Sequence, residues 1–297
     1  MIVDAHVHAF GEPGFWSKEL FSVFQPTGVG LPDFVTPSRG LAKPMEQLPG
    51  KLDEAGIEKA FLLAHDLERP WKSRCPNEVV AAFVKRFPER FIGFASVDPL
   101  GGRKSVDELE HAVKDLHLHG LKLLPAYSGC APGDRRAFPV YEAAQDLGIQ
   151  GVTIHTGFAT STTQLAHDRP DTIDDVAIQF PKLRLIIAHL GLLWANDALM
   201  LLMRQANIFA DISSWSLMPF DLLARTLSYA KHLGVLNKIM WGSDFPFLVT
   251  VSTQKQDIAR LRKIPAYSSR IGVEPELTSD DVESVLGDNA LNFAKTF

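Results

Sequence analysis

The chain opens MIVDAHVHAF, Met1–Phe10, and the fold turns on the residues that end this segment. Ile2–His8 reads as a short buried strand. A doubly wound nucleotide-binding sheet would carry a glycine-rich phosphate turn directly after its first strand. His-Val-His stands there instead, so that architecture is set aside. Seven runs of the same kind follow: Ala60–His65, Phe91–Asp98, Gly120–Pro125, Gly151–Gly157, Leu183–Gly191, Ile208–Trp215 and Lys238–Pro246. Each is apolar and ends in a polar or glycine-containing tip.

Stretches with helical spacing separate the runs: Glu78–Phe87, Ser105–Leu116, Val140–Leu147, Thr172–Phe180, Asp197–Gln205, Phe220–His232, Thr253–Ile264 and Ser279–Phe293. Ser105, three residues before Glu108, predicts a capping box. Eight strands alternating with helices over roughly 250 residues predict an α/β fold, a (β/α)8 TIM barrel. A single domain spans 1–297 on this reading. Residues 9–49 interrupt the alternation with Gly- and Pro-rich sequence, and helical spacing returns at Met45–Ala55. A connection this long between the first two strands is a lid or pocket wall near the barrel mouth, or a packed insertion covering it.

Composition narrows the function. Of 297 residues, 46% are hydrophobic and 22% charged, the balance of a globular chain rather than a disordered one. The net charge of −5 and the absence of a basic stripe argue against nucleic acid. No run of about 18 apolar residues predicts a membrane span. The N-terminus lacks the basic and apolar regions of a signal peptide, so a cytoplasmic protein is expected. Two cysteines, Cys75 and Cys130, fit free thiols in a reducing compartment.

Chemistry in a barrel collects at the C-terminal ends of its strands. The first run supplies Asp4, His6 and His8 there, the fifth His155, the sixth His189 and the eighth Asp244. His6 and His8, two apart on a strand, share one face. A single histidine in an apolar strand is ordinarily a hydrogen-bonded core residue. Four at strand ends with a carboxylate instead suggest an open metal site with room for water.

Together these segments resemble the amidohydrolase superfamily, in its branch that includes aminocarboxymuconate semialdehyde decarboxylase. The resemblance rests on DAHVH at Asp4–His8, MEQLPGKLDEAGIEKAFLL, RFPERFIGFASVDP, GLKLLP, IHTG, AHLG, WGSDFP and LGDNALNF, in order along nearly the whole chain. It implies that His6, His8, His155 and Asp244 hold one divalent metal ion, zinc or else manganese, and that His189 is catalytic beside it. Such an ion brings a water's pKa down toward about 7. Asp244 would then be ligand and general base, and His189 would polarise a carbonyl. Asp4 is a candidate acceptor for a ligand imidazole, or a structural hydrogen-bond partner. The expected activity is hydrolysis of a small carboxylated or cyclic ester, lactone or amide. The alternative is non-oxidative decarboxylation of an aromatic or enoic acid at the same site. No organic cofactor is expected; the partner is a small-molecule substrate, and a homodimer or higher homo-oligomer fits the branch.

Further candidates are less direct. Lys122 occupies the fourth run, where two-metal members of the superfamily carry a carboxylated lysine. A substrate-carboxylate contact or a buried structural role is the preferred reading. Tyr127, His65 with Trp71, and Trp215 are candidate substrate contacts; ordinary packing accounts for each of them as well. Arg39 and Lys72 are further candidates for a substrate carboxylate.

Overall fold

Parallel pairing runs unbroken through eight strands in the computed structural model, which describes residues 1–10, 15–20, 44–295 and 297. The strands in chain order are β1 (Val3–His8), β2 (Lys59–Leu63), β3 (His65–Leu67), β4 (Ser73–Cys75), β5 (Phe91–Ser96), β6 (Gly120–Leu123), β7 (Gly151–Ile154), β8 (Leu185–Ile187), β9 (Ile208–Asp211) and β10 (Ile239–Met240). The sheet order is β1-β2-β5-β6-β7-β8-β9-β10. Backbone bonds Ala5 N to Trp241 O (3.0 Å), Asp244 N to His6 O (3.0 Å) and His8 N to Phe245 O (2.8 Å) join the last segment to β1 and draw the barrel nearly closed. The predicted TIM barrel is present.

The helical stretches recur close to their expected bounds, for example Asn77–Arg86, Phe138–Asp146, Ala195–Arg204 and Phe220–His232. One start differs. The helix expected from Ser105 begins at Arg103, after Gly102 at φ 60°. Ser105 Oγ instead donates to Asp98 O (2.7 Å), and Glu108 accepts from Arg74 and Asn77, so no capping box forms there. Capping boxes do form at Thr253 with Gln256 and at Thr278 with Asp281. Outside the barrel, β3 and β4 pair as a short antiparallel hairpin, too brief for alternation to reveal in sequence.

Phe61, Phe94, Ile186, Met240 and Phe293 fill the N-terminal end of the barrel together with Val3 and Ala5. Phe61 and Phe94 lie 5.3 Å apart, and Phe94 fits because residue 120 is glycine: a Cβ there would come within 2.4 Å of its ring. Val3 and Ala5 belong to this plug, yet His6 and His8 face the other end's interior. The pairing of β1 with β2 slips between Asp4 and Val7, which reconciles the two. No helix among the described residues is long and apolar enough to cross a membrane.

Candidate metal centre and active site

The four strand-end histidines converge as expected and are buried, along with Asp244. The His6 and His8 rings lie 5.0 Å apart. His8 Nε2 donates to Asp244 Oδ1 (3.0 Å), and His6 Nε2 lies 3.7 Å from the same oxygen. Asp244 Oδ2 accepts from Ser214 Oγ (2.7 Å). Three residues here hold left-handed backbone conformations unusual for side chains with a Cβ: His189 (φ 61°), Ser214 (φ 65°) and Asp244 (φ 58°). Each lies a few residues past the end of its strand, and each turn aims a polar group into the barrel mouth; strain of this kind gathers at functional sites.

Asp211, inside β9, orients two of the imidazoles. His6 Nδ1 donates to its Oδ2 (2.9 Å), which leaves His6 Nε2 as a lone pair facing the site. Ser213 Oγ and the backbone N–H groups of Ser213 (3.0 Å) and His189 (3.1 Å) donate to Oδ1. With its proton spent on Asp211, Ser213 Oγ can only accept from His189 Nδ1, 2.8 Å away. His189 Nε2 is then unprotonated in the neutral ring. His155 Nε2 donates to Phe158 O (2.8 Å), so His155 Nδ1 is unprotonated too, and it lies 3.2 Å from His189 Nε2. Two lone pairs aimed at each other, beside a third on His6 and a carboxylate, make a donor set for a cation.

Electrostatics agree. Burial lowers the pKa of His6 to about 3 and lowers those of His8, His155 and His189 as well, favouring the neutral imidazole that ligates metals. Burial also works against the Asp244 carboxylate, but the His8 hydrogen bond and the nearby His189 and His6 outweigh it and hold the group well below its ordinary range. The donors of His6, His189 and Asp244 all lie within 4.8 Å of one another. These residues fit a divalent ion.

Lys122 points inward from β6. It is wholly buried, Nζ donates to His6 Nε2 (3.2 Å), and burial lowers its pKa to about 8. Tyr127 lines the pocket with its ring edge-on to His155 at 5.0 Å. Two other candidates are placed behind the pocket lining. Trp215 is buried with Nε1 donating to His189 O (2.7 Å), so it braces His189 from behind. His65 stacks beneath Trp16 at 3.7 Å, and Trp16 lines the pocket in its place. Asp4 reaches no imidazole ring: it accepts from Ser243 N (2.9 Å), Gln254 Nε2 (2.8 Å) and His6 N (3.2 Å), outside the barrel interior. The imidazole acceptor is Asp211, which sequence reading left without a role. Lys72 is exposed, and Arg39 lies outside the described residues. Burial pushes the Cys130 thiol up to about 12 and raises Cys75 also, so neither is a ready nucleophile.

The hairpin β3–β4 ties two pocket walls together. His65 Nε2 (2.7 Å) and Ser73 Oγ (2.8 Å) both donate to Phe15 O, and Ser17 Oγ donates to Trp71 O. On the other side Trp71 Nε1 donates to Tyr127 O (2.9 Å), and Arg69 donates to Ser128 O (2.8 Å).

Comparison with known proteins adds an independent finding. The amidohydrolase family model matches residues 3–293. An uncharacterised TIM-barrel protein from Bordetella bronchiseptica superposes with a TM-score of 0.72 at 18% identity, covering 98% of this chain and 97% of that one. A probable 2-pyrone-4,6-dicarboxylic acid hydrolase from Acinetobacter baumannii gives 0.65 at 17%, covering 98% of each chain. A 5-carboxyvanillate decarboxylase from Novosphingobium aromaticivorans, solved with bound manganese, gives 0.64 at 12%, covering 99% and 96%. At these identities the likeness speaks for the fold.

Proposed function

The chain belongs to the amidohydrolase family, a family of metal-dependent enzymes, and from that premise we propose that it is a metal-dependent hydrolase of a small ester, lactone or amide. The observation that carries this reading is the division of labour in Asp244: Oδ1 faces His6 and His8, while Oδ2 meets Ser214 at the pocket. His6, His8, His155 and Asp244 would hold one ion, zinc by the nitrogen-rich donor set or manganese, His8 doing so by releasing the Nε2 proton it otherwise gives to Asp244. When bound, it would supply Lewis acidity toward a carbonyl and a water.

The chain's own groups then do the proton work. Asp244 Oδ2 receives a proton from the attacking water, and Ser214 Oγ keeps that oxygen on the pocket side. His189, fixed at Nδ1 by Ser213, presents its unprotonated Nε2 to the site, takes up the proton that Asp244 received from the water and delivers it to the leaving group as the carbon–oxygen or carbon–nitrogen bond breaks. Asp211 keeps both His6 and His189 in register for this. Lys122, buried against His6, adds positive charge behind the site.

A second reading, non-oxidative decarboxylation, is favoured by the aromatic wall of Trp16, Phe158 and Phe247. In it Asp244, ionised at rest, would first take a proton from a pocket water or an acidic hydroxyl of the substrate and then deliver it to the carbon that loses CO2. One experiment separates the two. Protein carrying about one zinc or manganese per chain is incubated with a panel of lactones, amides and aromatic acids in water labelled with heavy oxygen. Label in an acid product is expected; CO2 release without label would establish the decarboxylase instead. Loss of turnover on chelation and its return with either metal is expected in both cases, and chelator-resistant turnover would sink both.

A further inference from the structure

His155 takes its orientation from its own loop. Its Nε2–H donates to Phe158 O, 2.8 Å away, which leaves Nδ1 as the lone pair facing the site. That carbonyl belongs to the peptide between Phe158 and Ala159. The unit is planar and trans, so its C=O and its N–H point in opposite directions. The N–H end is held as well, because Ala159 N donates to the side-chain carboxylate of Asp168. Asp168 O accepts from Gly157 N (2.8 Å), and Gly157 bends the chain there at φ 96°. One residue thus grips the turn on both sides of Phe158, by main chain before it and by side chain after it. Asp168 is itself buried, at the end of the helical turn Leu165–Asp168, which packs against Pro125–Ser128.

A single rigid peptide therefore has a carboxylate at one end and a histidine of the site at the other. The carboxylate fixes the plane of that peptide and pushes electron density toward its oxygen, which strengthens the oxygen's hold on the imidazole proton. Resting on the reading of His155 as a metal ligand, we propose that Asp168 is a positioning residue: through the Phe158–Ala159 peptide it keeps the His155 proton on Nε2 and the Nδ1 lone pair on the metal side. Asp168 acts at one remove, and its contacts are with the turn rather than with the site.

Asp168→Ala removes the side-chain grip and leaves the main-chain bond from Gly157 in place, so it isolates the proposed effect. In metal-free protein carrying histidine labelled with heavy nitrogen, ring-nitrogen spectra report which nitrogen of each imidazole is protonated. The signals that vanish in His155→Gln belong to His155. Wild type is expected to show the Nε2–H form alone, and Asp168→Ala a mixture of both tautomers. Zinc affinity, measured by competition with a chelating dye, is expected to fall roughly tenfold, the lower end of the cost of losing an outer partner of a ligand. Asp168→Asn keeps an oxygen for the Ala159 N–H and should restore the single tautomer and most of the affinity. A merely structural role would lower the melting temperature of Asp168→Ala and leave tautomer and affinity alone, which would overturn the proposal. A wild-type His155 protonated at Nδ1 would do the same. If Asp168→Ala does not fold, Asp168→Ser, one bond too short to reach the Ala159 N–H, carries the same expectations. Failure of the wild type to bind zinc or manganese would sink the metal-dependent reading, and the tautomer of His155 would still decide this one.

Discussion

At the N-terminal end of the barrel, Phe61, Phe94 and Phe293 pack with Val3, Ala5, Ile186 and Met240. At the C-terminal end of the same strands and their turns, seven titratable groups are buried: His6, His8, Lys122, His155, His189, Asp211 and Asp244. Each aromatic below contributes about 1.5–3 kcal/mol through its burial. Each ionisable group above carries a desolvation cost that its neighbours only partly offset. One end holds the fold, and the other is a cost the fold sustains for chemistry.

That contrast is sharpest in a pair of substitutions. His155→Ala is expected to lower turnover by roughly 10³-fold or more and to strip the metal, while the melting temperature of the metal-free protein holds or rises. Assay, metal analysis and a thermal melt on one preparation check it; a collapsed melt would mean the upper end also holds the fold. Phe94→Ala should do the reverse, costing about 3–5 kcal/mol in denaturant unfolding with metal content and turnover per folded molecule retained.

A smaller effect is expected at the walls. His65→Phe removes one of two donors to Phe15 O, so KM should rise about two- to tenfold, the worth of one hydrogen bond, with metal content unchanged. Equal loss in kcat would place His65 in the chemistry rather than behind Trp16. The smallest effect concerns Asp168, whose Oδ1 is buried without a partner among the described residues and whose pKa is raised by burial to about 6. An acid with a raised folded pKa favours the fold while protonated. That contribution is complete below the unfolded value near 3.8 and is lost as pH rises through about 6. Asp168→Asn should therefore gain in melting temperature over wild type between those two pH values and hold a constant advantage above them. A gap independent of pH would refute the assignment.

How much of this could be read from sequence follows from how local each signal is. His6, His8, His155, His189 and Asp244 were legible because a barrel brings strand C-termini together whatever the details. Asp4 and Asp211 look alike in sequence, and only the slip in β1 pairing turns Asp4 away while Asp211 meets His6 across the barrel. Ser213 takes its role from that same cross-strand contact. Trp215 and His65 sit where pocket residues belong, but left-handed turns and the overlying Trp16 segment decide which side chains are seen from the mouth. The last barrel strand is only Ile239–Met240, so the rest of its apolar run is an irregular turn that carries Asp244.

Barrels commonly diversify one connecting loop at a time, because each loop leaves and re-enters the scaffold on its own. The β3–β4 hairpin removes that independence here. Phe15 and Ser17 on one wall and Tyr127 and Ser128 on the other are moored to the same few residues, from His65 to Ser73. A change of shape at either wall is thereby transmitted to the other. This mouth is inherited as a unit, and a new substrate outline would have to be reached by concerted rather than stepwise exchange of its loops.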